Sequence, residues 1–356
     1  MRNLPRLRFA HLPTPVESLP RLSALFAGLN LLVKRDDQTG LAMGGNKTRK
    51  LEFLLAEAQA NGARTLITAG AAQSNHCRQT AAAAARFGFD CILVLADTGE
   101  PAQMKASHSS GQSIDQAAGG RGEWPSGNLL LDHLFGAEIV WAEREMRDQI
   151  LKDTIQAAWD AGRRPYLIPY GGSNPAGATA YTFALQELLE QNVRPEWIVF
   201  ASSSGGTQAG LVLGARLFGF DGQILGISVD EQAYVLQERV ATLASAAADH
   251  LGERITFTPQ EIRVNDRYLG GGYGVLGEAE KEVLGLFART EGLLLDPVYT
   301  GRAAAGLVDL ARQGFFSRGQ AGPGNQTVLF WHTGGTPALF ARRYQELGAI
   351  VPQGSQ

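Results

Sequence analysis

The stretch Gly44-Gly45-Asn46-Lys47-Thr48-Arg49-Lys50-Leu51-Glu52 decides the fold, because it places Lys47 directly after a Gly-Gly-Asn turn and at the start of a long apolar helical pattern. The N-terminus of a helix offers free backbone N–H groups and the positive end of the macrodipole. Both disfavour a protonated ammonium and therefore favour a neutral amine at Lys47. A neutral lysine amine forms Schiff bases with carbonyl compounds. Most lysines near a helix start are solvated surface residues, so this interpretation needs support from elsewhere in the chain.

Two further segments each connect a predicted strand to a predicted helix. Ile198–Ala201 leads into the Gly/Ser-rich turn Ser202–Gly210, whose N–H groups and hydroxyls suit a phosphate. No lysine follows its glycines, so it is not a Walker P-loop. Thr68–His76 presents polar side chains and N–H groups at a helix start, which suits a carboxylate. Taken singly, these segments also fit an ordinary glycine-rich turn and a plain capping turn. Together with Lys47 they indicate an enzyme that uses pyridoxal phosphate (PLP).

With these pieces in place, the chain resembles the tryptophan-synthase-β-like PLP enzymes of fold type II, and within them the D-cysteine desulfhydrase / 1-aminocyclopropane-1-carboxylate (ACC) deaminase family. The matching segments follow the family order over nearly the whole chain. They are Lys34–Asp37, Gly44–Glu52, Gln73–His76, Arg78–Ala81, Gly171–Asn174, Gly205–Gly210, Tyr273–Gly274, Asp296–Tyr299 and His332–Gly335.

The fold expected from this resemblance is α/β, with two doubly wound parallel-sheet domains. Apolar strand patterns that alternate with helical patterns along the chain favour the same architecture. A larger PLP-binding domain is expected from residues 1–50 plus 164–356. A smaller α/β domain, residues 51–163, is expected as a mid-chain insertion, with the ligand in the cleft between the two.

The resemblance also implies roles for individual residues. Lys47 would bind the cofactor covalently and exchange the substrate α-proton, and the other expected catalytic residues are Ser74, Tyr273 and Tyr299. The expected cofactor-binding residues, besides Lys47, are Asn75 at the phenolic oxygen, the phosphate-binding Ser203, Ser204, Gly205, Gly206 and Thr207, and Thr333. The expected substrate-binding residues are Gln73, Ser74, Asn75, His76 and Thr300.

Two positions distinguish the branches of the family. ACC deaminases carry glutamate and leucine where this chain has Thr300 and Thr333, as the desulfhydrase branch does. A neutral hydroxyl near the pyridine nitrogen weakens the electron sink, which is adequate for β-elimination but disfavours opening of a cyclopropane. The leading hypothesis is therefore a carbon–sulfur lyase that converts D-cysteine to pyruvate, hydrogen sulfide and ammonia. The alternatives are an L-cysteate sulfo-lyase, an ACC deaminase and a non-catalytic PLP-binding protein.

Bulk properties exclude other classes of partner. The 356 residues carry a net charge of −3, so neither nucleic acid nor an anionic membrane is indicated, and a small-molecule amino-acid substrate is expected. The chain lacks an apolar signal segment and has only two cysteines, Cys77 and Cys91, which fits a reducing cytoplasm. The six histidines show no metal-ligand spacing. A homodimer is implied by the resemblance alone.

A polar, glycine-rich stretch at residues 101–126 leaves two interpretations open. It is expected to be either a mobile surface loop or a lid near the substrate. Lys105, His108 and Arg121 within it could supply the cation that a sulfonate substrate needs.

Overall fold

Short apolar strands assemble into two separate sheets. The computed structural model describes residues 1–96, 125–317 and 326–349. In chain order the strands are β1 (Val16–Ser18), β2 (Leu29–Arg35), β3 (Thr65–Ala71), β4 (Asp90–Ala96), β5 (Glu138–Ala142), β6 (Pro165–Leu167), β7 (Trp197–Ser202), β8 (Gln223–Ser228), β9 (Arg263–Asn265) and β10 (Gln326–His332). The α-helices are α1 (Pro20–Ser23), α2 (Asn46–Ala60), α3 (Asn75–Phe87), α4 (Gly127–Leu134), α5 (Arg147–Asp160), α6 (Pro175–Glu190), α7 (Gly206–Phe218), α8 (Ala233–Leu251), α9 (Glu278–Glu291) and α10 (Thr300–Arg312).

The larger sheet has the strand order β1-β2-β10-β7-β8-β9. Its strands are parallel except β1, which pairs antiparallel with β2 at the edge. The expected parallel-sheet architecture is confirmed, with one antiparallel strand added at the edge. The ten residues 19–28 connect β1 to β2, which is shorter than the dozen or more that a crossover to a parallel neighbour needs.

Both faces of the larger sheet are covered by helices, as the alternation of side chains along β7 shows. Val199 packs in a cluster with residues of α9 and α10. Its neighbours Ile198 and Phe200 pack on the opposite face, with residues of α6 and α7. This two-sided burial confirms the expected doubly wound arrangement.

The smaller sheet is wholly parallel, with the order β5-β4-β3-β6. Its last strand, β6, lies just beyond residue 163, and helix α2 spans the expected boundary between residues 50 and 51. α2 packs against α6 of the larger domain and α3 of the smaller one. The two domains are thus joined through the helix that carries Lys47, and the domain limits given above stay a prediction.

A buried ionic network fixes the start of α2 to the larger domain. Asp36, just after β2, accepts hydrogen bonds from Arg49 Nη2 at 2.8 Å and from Trp331 Nε1 at 2.8 Å. Arg49 also donates to Glu187 of α6, and Glu187 accepts from the buried Lys34 at 2.6 Å. Because Arg49 lies two residues after Lys47, this network sets the position of the lysine.

Candidate active site

The carboxyl ends of strands from both sheets border one cleft of about 600 Å³, including its open mouth. Parallel sheets bind ligands at this edge because the loops after the strands converge there. The cleft brings together most of the residues singled out from the sequence: Lys47, Ser74, Asn75, His76, Ser203, Ser204, Gly205, Thr207, Tyr299 and Thr333.

Lys47 lies in the first turn of α2, as its position after two glycines suggests. Gly44 has φ 68°, and a Cβ there would collide with the backbone oxygen of Asp37, so only glycine fits. The Lys47 Nζ donates to Asn46 Oδ1 at 3.1 Å. Burial lowers the pKa of Lys47 to about 8, although the nearby carboxylate of Asp296 opposes the shift. A lysine amine with this pKa is neutral in roughly a tenth of the molecules at pH 7, far more than an ordinary lysine, and in that form it can act as a nucleophile or base.

The start of α3 presents a polar surface opposite Lys47. Ser74 caps the helix and accepts from the Cys77 backbone N–H at 3.2 Å. Asn75 Oδ1 accepts from Asn128 Nδ2 at 2.9 Å, so its carbonyl oxygen is engaged while its amide N–H groups remain available to a ligand. The backbone N–H groups of this first turn add the positive end of the helix dipole.

His76 is a neutral histidine at the cleft wall. Its Nε2 lies 2.9 Å from Thr68 Oγ1, and the imidazole is 4 % exposed. Burial, together with the charges of Lys47 and Lys50, holds the pKa of His76 well below its usual value. The ring therefore offers a neutral polar group to the cleft rather than a cation.

The Gly/Ser-rich turn before α7 forms a cradle of small groups. Gly205 has φ 84°, and Gly206 opens the helix with its N–H directed at Ser173 Oγ, 3.2 Å away. A Cβ on Gly206 would lie 2.5 Å from that oxygen, so the backbone approaches as closely as glycine allows. Ser204 Oγ is 2.8 Å from Ser173 Oγ. Ser203 is turned the other way, because its hydroxyl donates to Asp230 Oδ2 at 2.8 Å.

Lys50 is a buried lysine beside this cradle that the sequence interpretation passed over. Its Nζ donates to Gly171 O at 3.1 Å and Ser173 Oγ at 3.2 Å, and the residue is 1 % exposed. Burial, reinforced by the charge of Lys47, holds the pKa of Lys50 well below its usual value. The sequence feature that could have identified Lys50 was its spacing of three residues from Lys47, which places both amines on one face of α2.

Two tyrosines close the cleft opposite the cradle. The hydroxyls of Tyr273 and Tyr299 are 2.7 Å apart and the rings meet edge to face. Tyr299 lines the cleft, whereas Tyr273 stands behind it. Burial raises the pKa of both hydroxyls well above the usual value, so both remain protonated at neutral pH. The pair can donate hydrogen bonds, and because both hydroxyls stay protonated at neutral pH it does not act as a base.

Two expected substrate-binding side chains are turned away from the cleft. Gln73 donates to Ser126 O at 3.0 Å and accepts from the Asn128 backbone N–H at 2.9 Å, so its amide serves to dock α4. The Thr300 hydroxyl donates to Asp296 Oδ1 at 2.7 Å, fully buried at the start of α10. The expectation that these two side chains contact substrate therefore lacks support from the geometry.

Tyr170 and Asp230 border the site without having been expected there. Tyr170 lines the cleft and directly precedes the segment Gly171–Asn174. Asp230 follows β8 at the carboxyl edge of the larger sheet, and within the described residues its buried Oδ1 has no hydrogen-bond partner. Neither lies in a recognisable motif, so only the three-dimensional arrangement reveals them.

The described residues hold no further candidate for metal or membrane binding. Across residues 1–96, 125–317 and 326–349, no three His, Cys, Asp or Glu side chains cluster as metal ligands. In the same ranges no helix is long and apolar enough to cross a membrane. Lys105, His108 and Arg121, the cations considered for a sulfonate, lie outside the described residues.

The cleft fits a phosphorylated aldehyde such as PLP. Lys47 offers an amine with a pKa of about 8. The Gly206 backbone lies so close to Ser173 and Lys50 that a Cβ would collide with both, and its N–H lies among hydroxyls that suit a phosphate. Lys50 beside it pairs with no carboxylate in the described part of the chain, and a phosphate would satisfy its charge.

Comparisons with known proteins agree with this chemistry. A family model described as "Pyridoxal-phosphate dependent enzyme" matches residues 7–334. The D-cysteine desulfhydrase of Salmonella typhimurium is 41 % identical over 346 residues, which is 96 % of this chain and 97 % of that protein. The Salmonella typhi protein of the same name is also 41 % identical, over 96 % of this chain and 97 % of its own length.

Solved structures extend the likeness to the fold. A structure titled as an ACC deaminase homologue superposes with a TM-score of 0.82 at 35 % identity, covering 98 % of this chain and 97 % of its own. A fungal L-serine ammonia-lyase from Rhizomucor miehei superposes with a TM-score of 0.65 at 14 % identity, covering 96 % of this chain and 99 % of its own, and shows the fold alone. The chain therefore belongs to the family of pyridoxal-phosphate dependent enzymes.

Proposed function

We propose that this enzyme catalyses the α,β-elimination of D-cysteine to pyruvate, hydrogen sulfide and ammonia. The observation that carries the proposal is one cleft in which the Lys47 amine, the start of α3 and the Tyr273–Tyr299 pair converge. The D-cysteine desulfhydrases that are 41 % identical over 96 % of this chain support the choice of substrate.

The cofactor is assigned to groups that suit each of its parts. Its phosphate would lie against Ser204, Gly205, Gly206 and Thr207, with Lys50 neutralising charge. Asn75 would donate its amide N–H to the phenolic oxygen, and Thr333 would face the ring with a neutral hydroxyl. When bound, PLP supplies the electron withdrawal that acidifies the substrate Cα–H.

The chain's own residues then divide the remaining work. Ser74 and the N–H groups at the start of α3 would bind the substrate carboxylate. The Lys47 amine would accept the α-proton. Tyr299, hydrogen-bonded to Tyr273, would donate a hydrogen bond to the sulfur as the Cβ–S bond breaks and the sulfur leaves as the anion, because burial keeps both hydroxyls protonated.

The alternative substrates receive less support. Among the described residues that line the cleft, Lys47 is the only lysine or arginine, and the proposed chemistry needs its neutral amine, so this lining offers a sulfonate no separate cation. The neutral Thr333 favours elimination over ACC ring opening. A non-catalytic PLP-binding protein would not need a protonated tyrosine pair at the same cleft as the reactive lysine.

A substrate panel tests the proposal. Purified holoenzyme is given D-cysteine, L-cysteine, L-cysteate and ACC, with pyruvate, 2-oxobutyrate, sulfide and sulfite measured separately. We expect pyruvate and sulfide in equal amounts from D-cysteine. Lys47→Ala should abolish turnover, while Lys152→Ala, on the exposed face of α5, should not. Faster turnover of L-cysteate or ACC than of D-cysteine would reject the assignment.

We also propose a homodimer that works in the cytoplasm. The family resemblance supports the dimer, and the free, buried thiols of Cys77 and Cys91 suit a reducing compartment. Light scattering on the purified holoenzyme checks the dimer: a monomeric mass at micromolar concentration would reject it. Fractionation of expressing cells checks the compartment.

A further inference from the structure

Tyr170 occupies the chain segment that crosses from β6 to α6, at the mouth of the cleft. The turn Tyr170–Gly172 bends sharply, with φ 65° at Gly171. A Cβ on Gly171 would collide with Ser204 Oγ, and Gly171 O accepts from Lys50 Nζ at 3.1 Å. The backbone of Tyr170 is therefore held by the same groups that form the cradle.

The outer face of the Tyr170 ring is held from the smaller domain. The Arg147 guanidinium carbon lies 5.4 Å from the ring centroid, within cation–π range. Asp148 Oδ1 accepts from Arg147 Nη2 at 3.1 Å and steadies the guanidinium. Tyr170 is 39 % exposed, so the ring stands at the boundary between solvent and cleft.

Tyr170 lines the same cleft as Lys47 and Tyr299. The aromatic rings of Tyr170 and Tyr299 therefore border the cleft. Tyr299 is fixed by the 2.7 Å contact between its hydroxyl and that of Tyr273, whereas Tyr170 is the more exposed of the two rings.

We propose that Tyr170 limits the size of the substituent on the substrate β-carbon and that Arg147 keeps its ring in the limiting position. The inference rests on the proposed β-elimination for its choice of substrates. A small thiol fits between the rings, whereas a large S-alkyl group meets the Tyr170 ring before the α-carbon reaches Lys47. Tyr170 then determines specificity by shape, while its hydroxyl is dispensable.

The test compares a graded series of substrates in matched variants. Holoenzymes of wild type, Tyr170→Val, Tyr170→Phe, Arg147→Met and Trp159→Val are assayed with D-cysteine, S-methyl-D-cysteine and S-benzyl-D-cysteine by pyruvate release. Trp159→Val is the control for loss of an exposed aromatic, because Trp159 is 55 % exposed at the far end of α5 from Arg147.

Tyr170→Val should raise kcat/KM for S-benzyl-D-cysteine relative to D-cysteine by at least about tenfold, the range that pocket size commands. Arg147→Met should raise the same ratio by roughly two- to fivefold, the worth of an exposed cation–π contact. Tyr170→Phe and Trp159→Val should leave the ratio within about twofold of wild type. A Tyr170→Val ratio equal to that of wild type would overturn the inference.

A binding measurement keeps this result separate from the proposed reaction. D-Alanine and D-phenylalanine carry no leaving group, so their affinities, measured by calorimetry, report the shape of the cleft alone. We expect wild type to prefer D-alanine and Tyr170→Val to lose most of that preference. If wild type releases no pyruvate from D-cysteine, the proposed reaction fails, and an unchanged preference in Tyr170→Val independently refutes the role of Tyr170.

Discussion

Replacing Asp36 by asparagine should destabilise the protein far more than replacing its neighbour Asp37. Asp36 is fully buried and accepts from five donor atoms, the closest at 2.5 Å. They are Thr14 Oγ1, Arg49 Nε, Arg49 Nη2, Tyr181 Oη and Trp331 Nε1. An asparagine removes the charge and turns an N–H group toward some of these donors.

The loss of stability in Asp36→Asn depends on which partners Arg49 keeps. Breaking a buried ion pair by removing one partner costs about 3–5 kcal/mol. Because Arg49 keeps Glu187 as a second partner, we expect the lower end, about 3 kcal/mol. Asp37 is 13 % exposed and pairs with Arg35, which is 17 % exposed. Its replacement should cost no more than about 1 kcal/mol, as for pairs within reach of solvent.

Thermal unfolding followed by circular dichroism measures the difference. An unfolding entropy of about 2.1 cal/mol/K per residue over 356 residues converts 3 kcal/mol to a Tm decrease of about 4 °C for Asp36→Asn. Asp37→Asn should lower the Tm by about 1 °C or less. Equal decreases in the two variants would refute the central role given to Asp36.

The pH dependence of the Tm provides a second test of the role of Asp36. Burial alone would raise the pKa of Asp36, but Arg49 and Lys34 outweigh it and hold the pKa below its usual value. The stabilisation is therefore complete above the unfolded pKa of about 3.9 and is lost as the pH falls through the lower pKa of the folded state. The gap in Tm between wild type and Asp36→Asn should close in acid and remain constant from pH 6 to pH 8.

The remaining predictions concern the cleft. Gly206→Ala should displace Ser173 from two hydrogen bonds and weaken PLP binding roughly 25-fold, as measured by fluorescence titration of apoprotein. Gly348→Ala is the control and should leave the affinity unchanged, because nothing lies within 4 Å of its Cβ. Equal affinities in the two variants would place the phosphate elsewhere. The rate at which apoprotein binds PLP covalently should rise between pH 7 and pH 9. With a Lys47 pKa of about 8, the neutral fraction of the Lys47 amine increases over that range from about 10 % to about 90 %. A rate that does not change with pH would contradict that pKa. Thr333→Leu should weaken PLP binding about 2- to 10-fold through loss of one hydrogen bond, and unchanged affinity would mean that the hydroxyl faces no ligand.

The parts of the site that depend on local backbone conformation could be predicted from the sequence. Two glycines before Lys47 predict a helix start, and α2 indeed begins at Asn46. The predicted strand Ile198–Ala201 corresponds to β7, and the Gly/Ser-rich turn after it leads into α7 as predicted. These features depend on backbone conformation and side-chain period, which neighbouring residues fix.

Features that depend on distant packing were not predictable in the same way. The edge strands β1 and β9 are three residues long and show no period to read. Gln73 looks like a ligand from its motif, yet its amide is used by the start of α4, more than fifty residues later in the chain. Thr300 looks like a branch marker, yet its hydroxyl is consumed by Asp296 four residues before it. The position of Tyr170 depends on its contact with Arg147, which lies more than twenty residues earlier in the chain.

The place of β10 in the larger sheet has a consequence for biosynthesis. This strand is formed by residues 326–332, yet it lies between β2 and β7 and pairs with both. During translation the early strands β1 and β2 therefore cannot join β7 and β8 in one sheet until the ribosome has released nearly the whole chain. Long-range closure of this kind slows folding. Lys47 and Thr333 also come together only after this closure, so the cleft that both residues line is incomplete in a nascent chain until β10 is in place.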